Sequence, residues 1–272
     1  MRKILLVIDA QNMNNNAIGF GCFVAELTKS KLTGVFLENL LAEEMRELAS
    51  ISTYSNEIPS SNQRNEKTES NIRFFREECE KRGITPNIHR KRGIPIKEMI
   101  EESRFVDMII VDAEMSFKKK IESTPTDFVK DLLQEAECPV IICPEGFGGV
   151  DEIIFTYDAS PSSIIAMKQF TYLFPQFHEK KITILEINKE NEITVRSKPK
   201  ISEWLKTHYD LLNFTVLSGD PTEELFKYLL DKKNVFLVMG AYGRGRFSSL
   251  FRPSRARLVV KTTSFPIFIA HH

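Results

Sequence analysis

Short apolar runs alternate with longer mixed stretches along the whole chain. In the second half, IIFTY (153–157), KITILEI (181–187), LNFTVL (212–217), VFLVM (235–239) and PIFIA (266–270) read as five strands. The segments between them carry helix signals. Ser160-Pro161 offers an N-cap followed by proline at the first helical position. ISEWLKTHY (201–209) has helical spacing, with Ile201, Leu205 and Tyr209 on one stripe and Trp204 beside them, an arrangement expected to serve core packing. Asp220-Pro221-Thr222-Glu223 has an aspartate cap with glutamate three residues on, ahead of ELFKYLL. SRARLVVKTT (254–263) is expected as a helix leading into the last strand. Apolar strands interleaved with helices predict a parallel sheet covered on both faces, doubly wound through right-handed crossovers.

The pattern occurs twice. KILLVIDA (3–10) matches EIIFTYDAS (152–160), each a strand closing on Asp-Ala. GIPIKEMIEESRFVDMIIVDA (93–113) matches GDPTEELFKYLLDKKNVFLVMGA (219–241), and CPVIIC (138–143) matches FPIFIA (265–270). Asp9 and Asp158 are 149 residues apart, Gly93 and Gly219 only 126. The first half therefore carries 23 extra residues between about 40 and 80, and the polar, turn-rich SNEIPSSNQRNEKTES (55–70) is their expected location. Two domains follow, 1–145 and 150–272, joined by the turn-rich PEGFGG.

Composition narrows the function classes. Lys and Arg number 37 and so do Asp and Glu, so no basic excess points to nucleic acid or an anionic membrane. The N-terminal apolar run ILLVI is too short for a signal peptide, and no run approaches the ~20 residues of a membrane-spanning helix. Cys22, Cys79, Cys138 and Cys143 form no CxxC pair and no zinc-ligand spacing, and read as reduced thiols. The expectation is a cytoplasmic protein. His89 reads as structural or solvent-facing, and Lys118-Lys119-Lys120 as a solvated face. No mechanism attaches to the asparagine-rich NMNNNA (12–17), which precedes or starts the first helix.

The candidate chemistry follows the fourth strand of the second half, in MGAYGRGRFSSLFRPSR (239–255). In open α/β sheets a ligand settles beyond the carboxyl ends of the strands, where strand order reverses. Gly240 and Gly243 there are free to take positive φ and admit a ligand close to the backbone. Successive N–H groups favour an anion, and Arg244 and Arg246 add forked donors. Asp158 suits a ribose hydroxyl or a phosphate-bound Mg²⁺. Each feature also has a plain structural reading: glycine for close packing at a strand–helix junction, solvated arginines, and an aspartate that caps the next helix. The loop is neither a P-loop nor G-x-G-x-x-G after the first strand.

These residues resemble the universal stress proteins, within the adenine-nucleotide α-hydrolase-like group. The nucleotide-binding motif of that family is G-x2-G-x9-G-S/T after strand four, with an aspartate ending strand one. Gly240 and Gly243 match its opening, Arg244 to Arg252 its spacer, Ser254 its hydroxyl and Asp158 its acid; Pro253 replaces the third glycine. Proline offers no N–H, so a phosphate contact through that group is lost, although Pro253 remains compatible with the start of a helix. The resemblance spans nearly the whole chain as two tandem copies. It implies two doubly wound five-stranded parallel-sheet domains of strand order 3-2-1-4-5. It also implies ATP or another adenine nucleotide, with Mg²⁺ an option, held by Asp158, Gly240, Gly243, Arg244 and Ser254. Pairing of CPVIIC with FPIFIA would make an intrachain pseudo-dimer, and two chains are open to pairing as a homodimer.

In the first half Asp112 stands where Gly240 stands in the second, and residues 94–145 contain no glycine. An acid there repels polyphosphate, so that half is expected to bind no nucleotide. Three functions remain open: a stress-response nucleotide-binding and signalling module with at most slow ATP hydrolysis, a nucleotide-free interaction or scaffolding protein, and an adenylyl-transferring or PP-loop enzyme. The last finds no nucleophile elbow and no HxGH-type pair among the five histidines.

Overall fold

The structure, a computed structural model, describes residues 2–40, 61–118, 120–188, 198–240 and 265–270. They fall into two compact units, Met1–Glu122 with Thr126–Cys138, and Ser123–Pro125 with Pro139–His272.

The first unit holds β1 (Lys3–Asp9), α1 (Asn15–Thr28), β2 (Lys31–Asn39), α2 (Ser61–Glu80), β3 (Asn87–Gly93), α3 (Pro95–Ser103), β4 (Met108–Asp112) and α4 (Asp127–Glu135). Its strands lie in the order β3-β2-β1-β4, all parallel. The middle of β1, Ile4 to Ile8, is buried, as a central strand with helices on both faces requires. Asn14 caps α1, its side chain accepting from the N–H groups of Asn16 and Ala17. Thr126 caps α4 through the Val129 N–H.

The second unit holds β5 (Val140–Cys143), β6 (Glu152–Tyr157), α5 (Pro161–Leu173), β7 (Lys181–Asn188), α6 (Lys198–Leu205), β8 (Leu211–Ser218), α7 (Pro221–Leu230), β9 (Val235–Gly240) and β10 (Ile267–Ala270). Strand order is β5-β10-β9-β6-β7-β8. From β8 to β10 it is parallel and reads 3-2-1-4-5. β5 joins antiparallel to β10, with Ile142 opposite Ile267 and Val140 opposite Ile269, so the two strands expected to pair do so. The helix starts follow their sequence signals: Ser160 Oγ accepts from the Ser163 N–H, and Asp220 from the Thr222 and Glu223 N–H groups. The core centres on Phe170, whose ring lies 4.8 Å from Phe174, 4.9 Å from Phe236 and 5.3 Å from Phe268.

Two local expectations are corrected. Residues 61–70 are not turn-rich but form the first half of α2; 55–60 lie outside the described residues. The buried face of α2 is Arg64, Thr68, Ile72, Phe75 and Cys79. That is a helical stripe whose first two members are polar, so hydrophobicity alone hides it. Phe75 packs edge-on against Phe36, and Cys79 meets Cys22 of α1 at 3.6 Å between sulfurs. Second, the helix expected over 201–209 spans Lys198–Leu205, and Tyr209 follows it as a buried residue. Ile201 and Leu205 are core, whereas Trp204 is partly exposed, edge-on to Tyr172 and tilted against His208. The expected helix over 254–263 lies outside the described residues.

The repeat is visible in strand register. Ile4 pairs with Met108 and Ile153 with Phe236. Counting on four residues from each partner sets Asp112 and Gly240 at the same position. Thr33 pairs with Asn87 and Thr183 with Asn213, so the first repeat is 24 residues longer over that interval. The second is one residue longer between its first two strands, which leaves the net 23.

Candidate functional site

Strand order reverses between β6 and β9 in the second unit, and the carboxyl ends of those strands define its crevice. Phe155 pairs with Val238. Two residues further on, Gly240 is level with Tyr157, and Asp158 follows at once. Both therefore reach the same sheet edge. The half-buried Asp158 carboxylate accepts from the Ser160 N–H through Oδ1 at 3.1 Å, across the left-handed Ala159 (φ 63°). The start of α5 is largely satisfied internally. Ser160 N–H goes to Asp158, Pro161 has none, and Ser163 N–H goes to Ser160 Oγ.

Gly240 differs from its expected use. It does not adopt a positive φ; it ends β9 in extended backbone and is buried. A Cβ there would lie 2.5 Å from Ser162 C and Ser163 N and 2.7 Å from Ser162 O. Its missing side chain lets the last residue of β9 touch the first turn of α5. Gly243, Arg244, Arg246, Pro253 and Ser254 lie outside the described residues. The structure thus brings together Asp158 and Gly240 from the residue set proposed for a nucleotide.

As for the fit of an adenine nucleotide, Asp158 retains a second carboxylate oxygen suited to a ribose hydroxyl or a metal ion. The described start of α5 offers phosphate little, since Pro161 has no N–H and the Ser163 N–H is committed to Ser160 Oγ. Phosphate would have to be held by the residues that follow Gly240.

The corresponding place in the first unit is built differently. A cavity of about 440 Å³ opens between the ends of β1 and β4 and the start of α1, lined among others by Asp9, Asn12, Asn14, Asp112, Glu114 and Ser116. With an aspartate at the position of Gly240, β4 cannot approach its helix as β9 does. Asn14 Nδ2 donates to Asp112 Oδ2 at 2.6 Å, while its Oδ1 caps α1. Asp9 accepts from the Gln11 N–H at 2.8 Å and from Asn12 Nδ2 at 3.1 Å. Burial nevertheless raises the Asp9 pKa above the usual carboxylate range. Gln11 also ties this edge to α2, donating to Arg64 O and Thr68 Oγ1, and Asn71 Nδ2 donates to Ala10 O. Three acids around one cavity make it hostile to polyphosphate. Among the described residues no group of three or more His, Cys, Asp or Glu is arranged to hold a metal ion. Sequence reasoning left the asparagine run unexplained; its amides partner Asp9 and Asp112, and the facing acids were the available signal.

Other expectations resolve simply. His89 Nδ1 lies 3.2 Å from the Glu102 carboxylate, a structural pairing, and Lys118 pairs with Glu122 and Asp127. Among the described residues no helix is long and apolar enough to cross a membrane.

A doubly wound parallel sheet, 3-2-1-4 in the first unit and 3-2-1-4-5 in the second, with a crevice at the β6/β9 reversal, defines the class. Among solved structures, a universal stress protein from Archaeoglobus fulgidus DSM 4304 superimposes with a TM-score of 0.73 at 17% identity, covering 100% of this chain and 96% of that one. A protein named as a universal stress protein from Pseudomonas aeruginosa UCBPP-PA14 gives 0.60 at 14%, covering 100% and 93%. A functionally unknown protein from Pseudomonas aeruginosa PAO1 gives 0.58 at 13%, covering 100% and 92%. The chain has the two-domain fold of the universal stress proteins. No protein-family model and no curated protein sequence matches it.

Proposed function

We propose that the protein is a small-molecule binding module of the universal stress type, with ATP or another adenine nucleotide at the carboxyl edge of the second repeat. The observation that carries this reading is the convergence of Asp158 and Gly240 on the strand-order reversal of the second unit. The glycine- and arginine-containing segment begins immediately after Gly240. In this reading Asp158 meets the ribose or a Mg²⁺ ion, and Gly243, Arg244 and Ser254 hold phosphate. Binding is the signal, and any hydrolysis is slow and incidental. The four cysteines are buried and form no disulfide, which fits a reducing cytoplasm. The test is titration with ATP–Mg²⁺ together with mass analysis of co-purified nucleotide, on wild type and Gly243→Asp. Wild-type binding abolished by the substitution supports the proposal, and a folded wild type that ignores nucleotide ends it.

A second reading, a nucleotide-free interaction protein, draws on one observation. The contact of Gly240 with the Ser162–Ser163 backbone accounts for that glycine without any ligand. Pro253 in the third-glycine position belongs to the same reading.

A further inference from the structure

The two sheet edges have opposite chemistry. β3, NIHRKRG, is the edge of the first unit's strand order, and its cations are engaged. Arg90 binds Glu38, Glu69 and Asn65, and Lys91 binds Glu98 and Glu102. Charged side chains of this kind blunt an edge against further strand pairing.

β8, LLNFTVLS, has no charged residue over eight positions. It pairs with β7 in unbroken register from Leu211 to Ser218, without a bulge. Among the described residues no strand lies on its other side. Leu211 is 58% and Val216 43% exposed, both large apolar side chains on a strand that ends the sheet. From Leu211 to Leu217 this is a regular, uncharged edge with no strand beyond it among the described residues, which makes it a template for strand addition.

We propose that β8 is an interaction surface whose occupant is the β8 of a second copy of this chain, added antiparallel across a two-fold axis. A two-fold contact brings each residue against the same segment, so like charges would face one another. β8 carries none, and Lys198 is turned onto the Phe214 ring at 4.8 Å. The same operation at β3 would crowd Arg90, Lys91 and Arg92 against the same run of cations in the copy. The chain as a whole has equal numbers of acids and bases, so no net charge opposes self-association. This inference is independent of nucleotide binding.

The experiment is sedimentation velocity on the full chain from low to high micromolar concentration, for wild type, Leu211→Lys and Val216→Lys. Wild type is expected to dimerise in this range. Each lysine variant is expected to raise the dimer Kd by about tenfold or more with unchanged far-ultraviolet circular dichroism. In the register centred on Phe214, which pairs Leu211 through Leu217, residue 213 of one copy faces residue 215 of the other. The double variant Asn213→Cys/Thr215→Cys therefore provides a readout that needs no destabilised contact. With oxidised glutathione as oxidant it should give a disulfide-linked dimer, the thiol protons and electrons passing to glutathione. A monomeric wild type overturns the proposal. So does a dimer whose Kd is untouched by both lysines and which the double cysteine variant fails to cross-link.

Discussion

Gly240→Ala tests how the second repeat closes its ligand-facing edge. The new Cβ would stand 2.5 Å from Ser162 C and Ser163 N, where ordinary contact begins at 3.4 Å. About 0.9 Å must be recovered, and both sides of the contact are backbone. No side-chain rotation relieves it. β9 is held by β6 and β10, and the helix start by Ser160 and Asp158. Overpacking of this kind costs about 1–3 kcal/mol, and the gain from removing a strand glycine returns about 0.5 kcal/mol. A net loss of about 1.5 kcal/mol is expected in urea denaturation without nucleotide. Gly19→Ala is the control, because its Cβ meets nothing within 4 Å inside α1. It should gain up to about 1 kcal/mol. A Gly240→Ala protein within about 0.5 kcal/mol of wild type would refute the argument that this glycine is required by the α5 backbone.

Phe170→Ala removes the ring at the centre of the second unit's aromatic cluster and should cost about 3–5 kcal/mol by the same assay. Burial pushes the Glu152 pKa up, but Thr183, Lys232 and Lys181 together hold it below the ordinary value. Its stabilising effect is present above the unfolded carboxylate range and lost as pH falls through the folded pKa. Glu152→Gln should therefore lose about 1–3 kcal/mol at neutral pH and converge on wild type in acid. Asp9 has the opposite sign: its raised pKa stabilises the protonated form, and that contribution is lost as pH rises through the folded value. Asp9→Asn should be more stable than wild type at neutral pH, with the advantage vanishing in acid, as denaturation across pH will show.

The strands were legible because buried parallel strands are nearly continuous apolar runs, and the caps because Ser160 and Asp220 act on N–H groups two or three residues away. What escaped the sequence depended on partners distant along the chain. The α2 stripe begins with the polar Arg64 and Thr68, and Gln11, more than fifty residues earlier, donates to Arg64 O and Thr68 Oγ1. Gly240 suggested a ligand because the backbone across from it, at Ser162 and Ser163, is 78 and 77 residues away in sequence. The asparagine run at 12–17 acquires a role only when Asp112 is brought beside Asn14, 98 residues distant. Asp158 was identified with two roles open, and the structure shows its turn contact with Ser160 while leaving an oxygen for a ligand.

Calorimetric stoichiometry with ATP–Mg²⁺ bears most directly on the claim that one copy of the repeated fold binds nucleotide. One nucleotide per chain, lost in Gly243→Asp and unaffected by Asp9→Asn, is the predicted result. Two nucleotides per chain, or binding that survives Gly243→Asp but not Asp9→Asn, would contradict it.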